Sequence, residues 1–204
     1  MLLEAHGLGY RYGGGRGNQP WLLREVSLAV EPGEVVGLVG PSGCGKSTLA
    51  RLLAGYEPPQ EGRVTFGGQP LPRGGYRPVQ LVFQHPEKAV NPRWTLKRTL
   101  HEGGAADPDL LEALGIQESW LSRWPNELSG GELQRFCVAR ALGPQTRVLI
   151  ADEMTTMLDA ITQAQLWGAV LERARQRQMA VVVISHEHRL VERLCSRVIE
   201  LGSR

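Results

Sequence analysis

The segment Gly40-Pro41-Ser42-Gly43-Cys44-Gly45-Lys46-Ser47 separates an apolar run, Val35-Val36-Gly37-Leu38-Val39, from Thr48-Leu49-Ala50-Arg51-Leu52-Leu53-Ala54. The first flank reads as a buried strand and the second as a helix. A glycine-rich passage between them matches G-x-x-x-x-G-K-[ST], the phosphate loop. Glycines let backbone N–H groups converge on phosphate oxygens, and the following helix turns its positive end towards them. Lysine is scarce in this chain: only Lys46, Lys88 and Lys97 occur, against a majority of arginines. Its use at 46 fits an ammonium reaching β- and γ-phosphates, with the Ser47 hydroxyl ligating Mg²⁺. Gly40, Pro41, Ser42, Gly43, Cys44, Gly45, Lys46, Ser47 and Thr48 are thus the phosphate-binding candidates. Cys44 reads as a small filler, although a thiol at a helix N-terminus is also a position that favours reactivity.

The rest of the chain tells which class of phosphate chemistry is at work. Short β-like runs alternate with Gly/Pro turns in the N-terminal part: Leu22–Val30, a turn at Glu31-Pro32-Gly33-Glu34, Arg63–Phe66 and the compact run Val79–Phe83. Gly13–Gly17 reads as a flexible loop rather than a nucleotide motif, because no strand-to-helix context surrounds it. From Gln84 to about Asn126 the pattern changes to short helices, Thr95–Glu102 and Asp107–Leu114, the latter capped by Asp107 and stopped by Gly115. A longer helix is expected over Gly130–Leu142. Strands at Val148–Ala151, Ala180–Ile184 and Val198–Leu201 then alternate with helices at Ala160–Arg177 and Glu187–Leu194. Continuous apolar strands alternating with helices imply an α/β fold with a parallel sheet covered on both faces.

Two further stretches carry chemistry. Val148-Leu149-Ile150-Ala151 ends in Asp152-Glu153. Side chains alternate faces along a strand, so two adjacent acids at its end can do different work. Asp152 suits Mg²⁺ and Glu153 suits polarising an attacking water. Leu128-Ser129-Gly130-Gly131-Glu132 opens the Gly130–Leu142 helix, and Ser129 with Glu132 forms a capping-box pattern. Two glycines after the cap cost helix propensity. They make sense where backbone must lie bare against another molecule, such as a phosphate at the helix N-terminus.

With these residues in order, the chain resembles the ATP-binding cassette (ABC) transporter ATPases over nearly its whole length. GPSGCGKS is similar to their Walker A loop, Gln84 to the Q-loop glutamine, LSGGE to the signature and LIADE to Walker B. Met157-Leu158-Asp159 is similar to the D-loop, and His186, after VVVIS, to the switch histidine. Tyr12 stands where the family places an aromatic that stacks on adenine, with Tyr10 as the competing candidate. The resemblance implies a RecA-like P-loop NTPase core, 1–83 and 143–204, with an N-terminal antiparallel β-subdomain. It implies a small α-helical subdomain, 84–142, all within one ABC ATPase domain.

It also implies an ATPase with ATP and Mg²⁺ as its cofactors. Lys46, Glu153 and His186 would be catalytic, and Ser47, Gln84 and Asp152 would hold the metal. ATP would further meet Tyr12, Gln84, Ser129, Gly130, Gly131, Glu132 and Asp159. Two cassettes would sandwich two ATP molecules, each site joining one subunit's Walker A to the other's signature. The implied partners are transmembrane permease subunits, a second ABC ATPase in a homo- or heterodimer and, indirectly, an extracytoplasmic binding protein. The implied place is the cytoplasmic face of the inner membrane. Gln84-His85-Pro86-Glu87 and Ala89-Val90-Asn91-Pro92-Arg93, with the segment Phe136–Leu142 and the end Arg189–Arg193, are most similar to peptide and nickel importer ATPases.

Some residues depart from that pattern. Glu132 stands where glutamine is usual and adds negative charge near a γ-phosphate, Met154 replaces a proline, and Met157 replaces a small residue. The sequence reaches Arg204 without the extension common in peptide importers.

Composition narrows the rest. A net charge of +2 gives no electrostatic case for nucleic acid. No apolar run approaches the ~20 residues of a membrane helix, and the start lacks a secretory pattern. Cys44, Cys137 and Cys195 are scattered without paired spacing, which fits a reducing, cytosolic setting. An ABC ATPase acting on nucleic acid or ribosomes usually shows paired cassettes or long coiled coils, and neither is seen. A nucleotide kinase lacks LSGGE and the switch histidine. His188 is expected at the surface, His6, His85 and His101 lack metal-ligand spacing, and Trp120 and Trp124 are expected to pack. Glu172–Arg177 reads as a solvated face.

Overall fold

The computed structural model describes residues 1–13, 19–72, 74–104 and 107–202. Most of the Gly13–Gly17 segment therefore lies outside the described residues. In chain order the elements are β1 (Leu3–Tyr10), β2 (Leu23–Val30), β3 (Val35–Val39), α1 (Lys46–Leu53), β4 (Glu61–Phe66), β5 (Gln69–Pro70) and β6 (Val79–Val82). Then follow α2 (Leu96–His101), α3 (Pro108–Ala113), α4 (Gly130–Ala141), β7 (Val148–Asp152), α5 (Ala160–Arg177), β8 (Ala180–Ile184), α6 (His188–Leu194) and β9 (Arg197–Glu200). Single 3₁₀ turns at Pro86–Lys88, Glu118–Trp120 and Pro125–Glu127 join the shorter helices.

Two sheets result. An antiparallel sheet has the order β2-β1-β4-β5, and a parallel sheet has the order β6-β7-β8-β3-β9. The turn at Glu31–Glu34 thus hands the chain from one sheet to the other instead of closing a hairpin. It can do so because, among the described residues, β2 pairs only with β1, while β3 is drawn between β8 and β9.

The unbroken apolar runs of β7 and β8 follow from cover on both faces. Alternation sends Leu149 and Ala151 of β7, with Val181 and Val183 of β8, to one side, where they meet Leu133, Phe136, Leu166 and Val170 of the helices. Val148, Ile150, Val182 and Ile184 face the other way, with Leu49 and Leu53 of α1 and Leu3 and Leu8 of the antiparallel sheet. The helical segment after Gln84 shares the first of these cores. Trp120 is buried there against Phe136, with ring centroids 6.4 Å apart, whereas Trp124 is 45% exposed.

The expected solvated arginine face is only partly so. Arg175 pairs with Glu172 in solvent. Arg173, however, pairs with Asp107, the N-cap of α3, and Arg177 donates to the carbonyl of Gly143 at 3.1 Å. Residues four apart share a helix face, so 173 and 177 turn inward together while 175 turns out. Asp107 caps α3 as expected, accepting from the Asp109 N–H at 3.1 Å.

The Arg173 guanidinium holds the Asp107 carboxyl below the usual carboxylate range. A lowered folded-state value means the pair stabilises above the unfolded carboxylate pKa of about 4 and loses that contribution as pH falls through the folded value. Asp107→Asn keeps a capping side chain but removes the pair. It should cost on the order of 1 kcal/mol at neutral pH. Urea unfolding of both proteins should show this gap at pH 7 and its closure in acid. A gap indifferent to pH would contradict the assignment.

Candidate nucleotide site

Parallel pairing gathers the chemistry. Leu38 and Asp152 both stand in register with Ile184, and Val82 with Ala151. The C-terminal ends of β3, β6, β7 and β8 therefore lie on one edge of the sheet, the edge where open α/β sheets bind ligands. From those four ends continue the Gly40–Ser47 loop, Gln84, Asp152-Glu153 and His186.

In the loop, Gly45 is the N-cap of α1 with φ 100°, and a Cβ there would come within 2.7 Å of Leu23 Cδ2. The positive φ favours glycine, and the tight approach of the Leu23 side chain adds to it. Lys46 is buried, and its ammonium donates to the carbonyls of Gly40 at 2.8 Å and Pro41 at 2.9 Å. An ammonium has three donors, so two are spent across the mouth of the loop. Pro41, Ser42, Gly43 and Ser47 are exposed along it, and Cys44 is half-buried.

Thr48 is buried, and its hydroxyl lies 2.8 Å from the Tyr12 phenol. Tyr12 is 53% exposed, so its ring is open to a base. Tyr10 meets Tyr12 edge-on at 5.4 Å and commits its own phenol to Glu57. Glu57 and burial push that phenol up to about 12. Of the two candidates, Tyr12 is the one with a free face.

Asp152 is buried at the end of β7, and its Oδ1 has no hydrogen-bond partner among the described residues. Burial raises its carboxyl above the usual range; the Ser47 hydroxyl opposes this and the Glu153 carboxylate adds to it. A buried carboxylate oxygen without a partner, beside a hydroxyl, is a hard-oxygen donor set that fits Mg²⁺. Glu153 follows at φ 49°, a left-handed conformation uncommon for a residue with a side chain. That turn, more than strand alternation, gives the two acids different directions. Glu153 accepts from the Gln84 amide at 2.8 Å and lies 2.7 Å from His186 Nε2. Gln84, expected among the metal ligands, thus has its amide nitrogen on Glu153, while Ser47 and Asp152 are brought together.

Ser129 caps α4 in a reciprocal box. The Ser129 hydroxyl accepts from the Glu132 N–H at 3.2 Å, and the Glu132 carboxylate accepts from the Ser129 N–H at 2.7 Å. That N–H holds the Glu132 carboxyl below its usual range. Ser129 and Gly130 are exposed, and no hydrogen bond among the described residues joins them to the phosphate loop. A Cβ on Gly131 would come within 2.9 Å of Leu158 Cδ2, so a larger residue there would have to displace the end of that half-buried side chain. Asp159 is the N-cap of α5 and spends its carboxylate on Ile161, Thr162 and the Thr162 hydroxyl. His188 is exposed on α6, as expected.

The sequence profile described as "ABC transporter" matches residues 23–156. The chain belongs to the ABC transporter family. It is an ATP-binding cassette and an ATPase. Among curated ABC relatives, the nickel import ATP-binding protein NikE of Escherichia coli K12 is 39% identical over 225 residues, covering 99% of this chain and 84% of the relative. The protein of the same name in Rhodospirillum rubrum is 41% identical over 208 residues, covering 92% and 74%. Among solved structures, the dimeric bacterial ABC transporter cassette MJ0796 superimposes with a TM-score of 0.82 at 23% identity, over 98% of this chain and 94% of that one. The cbiO1 subunit from Clostridium perfringens, part of the ABC transporter complex cbiONQ, gives 0.77 at 23% identity, over 98% and 84%. These likenesses show the RecA-like P-loop core with its antiparallel sheet and small helical part.

Sequence reasoning missed Thr155, Gln163 and Trp167, whose side chains hydrogen-bond behind Glu153. Nothing in the sequence sets Thr155 apart from an ordinary turn residue, or Gln163 and Trp167 from an ordinary helix face.

Lys46→Ala should weaken binding of a fluorescent ATP analogue at least about tenfold, or ~1.4 kcal/mol. Equilibrium titration reads this directly, and unchanged affinity would remove the loop from the site.

Proposed function

We propose that this ATPase powers an importer for nickel or a metal chelate, with small peptides as the second cargo class. It would work by ATP-dependent pairing with a second ABC ATPase beneath a membrane permease. The single observation that carries the catalytic part is the Glu153 carboxylate held between Gln84 and His186, at the strand ends where Lys46 and Asp152 converge. The cargo reading is supported by relatives near 40% identity that are named for nickel import.

Each group has a role in that scheme. Lys46 and the loop amides take the phosphate charge. Ser47 and Asp152 would hold Mg²⁺, which neutralises charge on the phosphates, and Gln84 would join them on leaving Glu153. Glu153 orients and deprotonates water, and His186 stays near the γ-phosphate. Tyr12 offers its ring to the adenine.

The pairing surface is the tip of α4 with its neighbours. Ser129 and Gly130 leave backbone bare, Met157 beside Gly130 is 55% exposed, and Ile161 in the first turn of α5 is 83% exposed. A facing cassette that presents its nucleotide to Ser129, Gly130, Gly131 and Glu132 would cover these side chains. Asp159 would act there by fixing the start of α5. No helix among the described residues is long and apolar enough to cross a membrane. The chain would therefore sit on the cytoplasmic face through its permease, with 84–142 as the lobe that receives the permease's movement. A binding protein on the far side would deliver cargo.

Glu153→Gln should bind ATP, hydrolyse it on the order of 10²-fold more slowly or worse, and run as a dimer in light scattering with Mg–ATP. Normal turnover or a persistent monomer would count against the scheme. For cargo, a strain lacking the gene should lose accumulation of radioactive nickel and regain it with the wild-type chain only. Unimpaired nickel uptake with lost peptide uptake would move the assignment to peptides.

A further inference from the structure

Glu153 and His186 are carried by two separate loops, after β7 and after β8. Their geometry is demanding. Glu153 occupies a left-handed backbone conformation, and His186 is half-exposed on a short connection between β8 and α6. The backbone ties Glu153 to the end of β8, where its N–H donates to the Ile184 carbonyl at 2.9 Å. A third element contributes the rest. Gln163, in the first turn of α5, donates its amide to the Thr155 hydroxyl oxygen at 2.9 Å and to the Glu187 carboxylate at 3.4 Å. Thr155 lies two residues past Glu153, and Glu187 directly follows His186. Trp167, one turn further along α5, donates its indole N–H to the same Thr155 oxygen at 3.2 Å.

We propose that Thr155 and Gln163 are positioning residues for hydrolysis, a hydrogen-bonded yoke through which α5 fixes Glu153 relative to His186. The inference rests on the reading of those two residues as the hydrolytic pair. The case is geometric. Thr155 and Trp167 are buried, so their shared hydrogen bond is shielded from water and costly to lose. Thr155, Gln163, Trp167, Glu153, His186 and Glu187 all line one cavity of about 320 Å³, which leaves room for the loops to shift once the yoke is cut. The helix that carries Gln163 and Trp167 is itself fixed at its start by Asp159. The yoke touches neither the phosphate loop nor Tyr12, so it bears on the chemical step and not on nucleotide capture.

The test is steady-state Mg–ATP hydrolysis by the full chain. Thr155→Val, which keeps shape and removes the acceptor, and Gln163→Met, which removes the donor at a half-buried site, should each lower kcat about 10-fold or more. KM should change by less than about threefold, the signature of an interaction that acts in the transition state. Thr155→Ser should restore kcat, and the double variant should be no slower than the slower single one, because both cut one connection. Unchanged kcat in Gln163→Met, a Thr155→Ser variant as slow as Thr155→Val, or losses that multiply in the double variant would overturn the proposal. Gln163→Met keeps the test decisive if Thr155→Val folds poorly. With Glu153→Gln inactive, normal turnover in the yoke variants would reject the yoke alone. Full turnover in Glu153→Gln would reject the hydrolytic reading and the yoke with it.

Discussion

The parallel pairing of β3, β6, β7 and β8 is the constraint on which the rest depends. Each strand brings its part of the site to its C-terminal end, and the ends are level because Leu38 and Asp152 share a register with Ile184. A one-residue slip would send every side chain of a strand to the opposite face. In β7 that would expose Leu149 or Ile150 to the wrong core and swing Asp152 away from Ser47. The register is safeguarded by burial: all residues of β7 and β8 are buried, and their alternate side chains belong to two separate cores. Stability and site geometry are thus specified by the same apolar residues.

Against that rigid base the site itself is held by exchangeable polar contacts. Lys46 spans carbonyls of its own loop, Gln84 and His186 hold Glu153, and Tyr12 rests on Thr48. Under the proposed scheme a triphosphate taking Lys46 would compete with two carbonyls, and a water held by Glu153 would compete with Gln84 and His186. The Asp152 oxygen without a partner is the exception, since a cation would satisfy it without breaking any bond. Nucleotide and metal binding would then rearrange side chains while the sheet stays fixed.

Much of this was legible in the sequence because it is local. A strand, a glycine turn and a lysine lie within a dozen residues, and Ser129 with Glu132 announces a cap that the structure contains. Other features were not legible because they join distant parts of the chain. Arg173 and Arg177 looked like solvated charges until α5 was seen to turn them towards Asp107 and Gly143. The Glu31–Glu34 turn signalled a break between two strands but not that β2 and β3 belong to different sheets. The separate directions of Asp152 and Glu153 arise from a left-handed backbone at 153 that no alternation rule gives. Gly131 was read against an external phosphate, and its second neighbour, the end of the Leu158 side chain, was not legible. Asp159 was grouped with the nucleotide, and it first serves as a cap.

The most direct test of the central claim is a crystal structure of the chain with Mg²⁺ and a non-hydrolysable ATP analogue. The Lys46 ammonium should leave the Gly40 and Pro41 carbonyls for β- and γ-phosphate oxygens at hydrogen-bond distance, about 2.8 Å. The metal should sit between Ser47 and Asp152, and the adenine against Tyr12. A triphosphate bound elsewhere, with Lys46 still on its own carbonyls and no metal beside Asp152, would contradict the account.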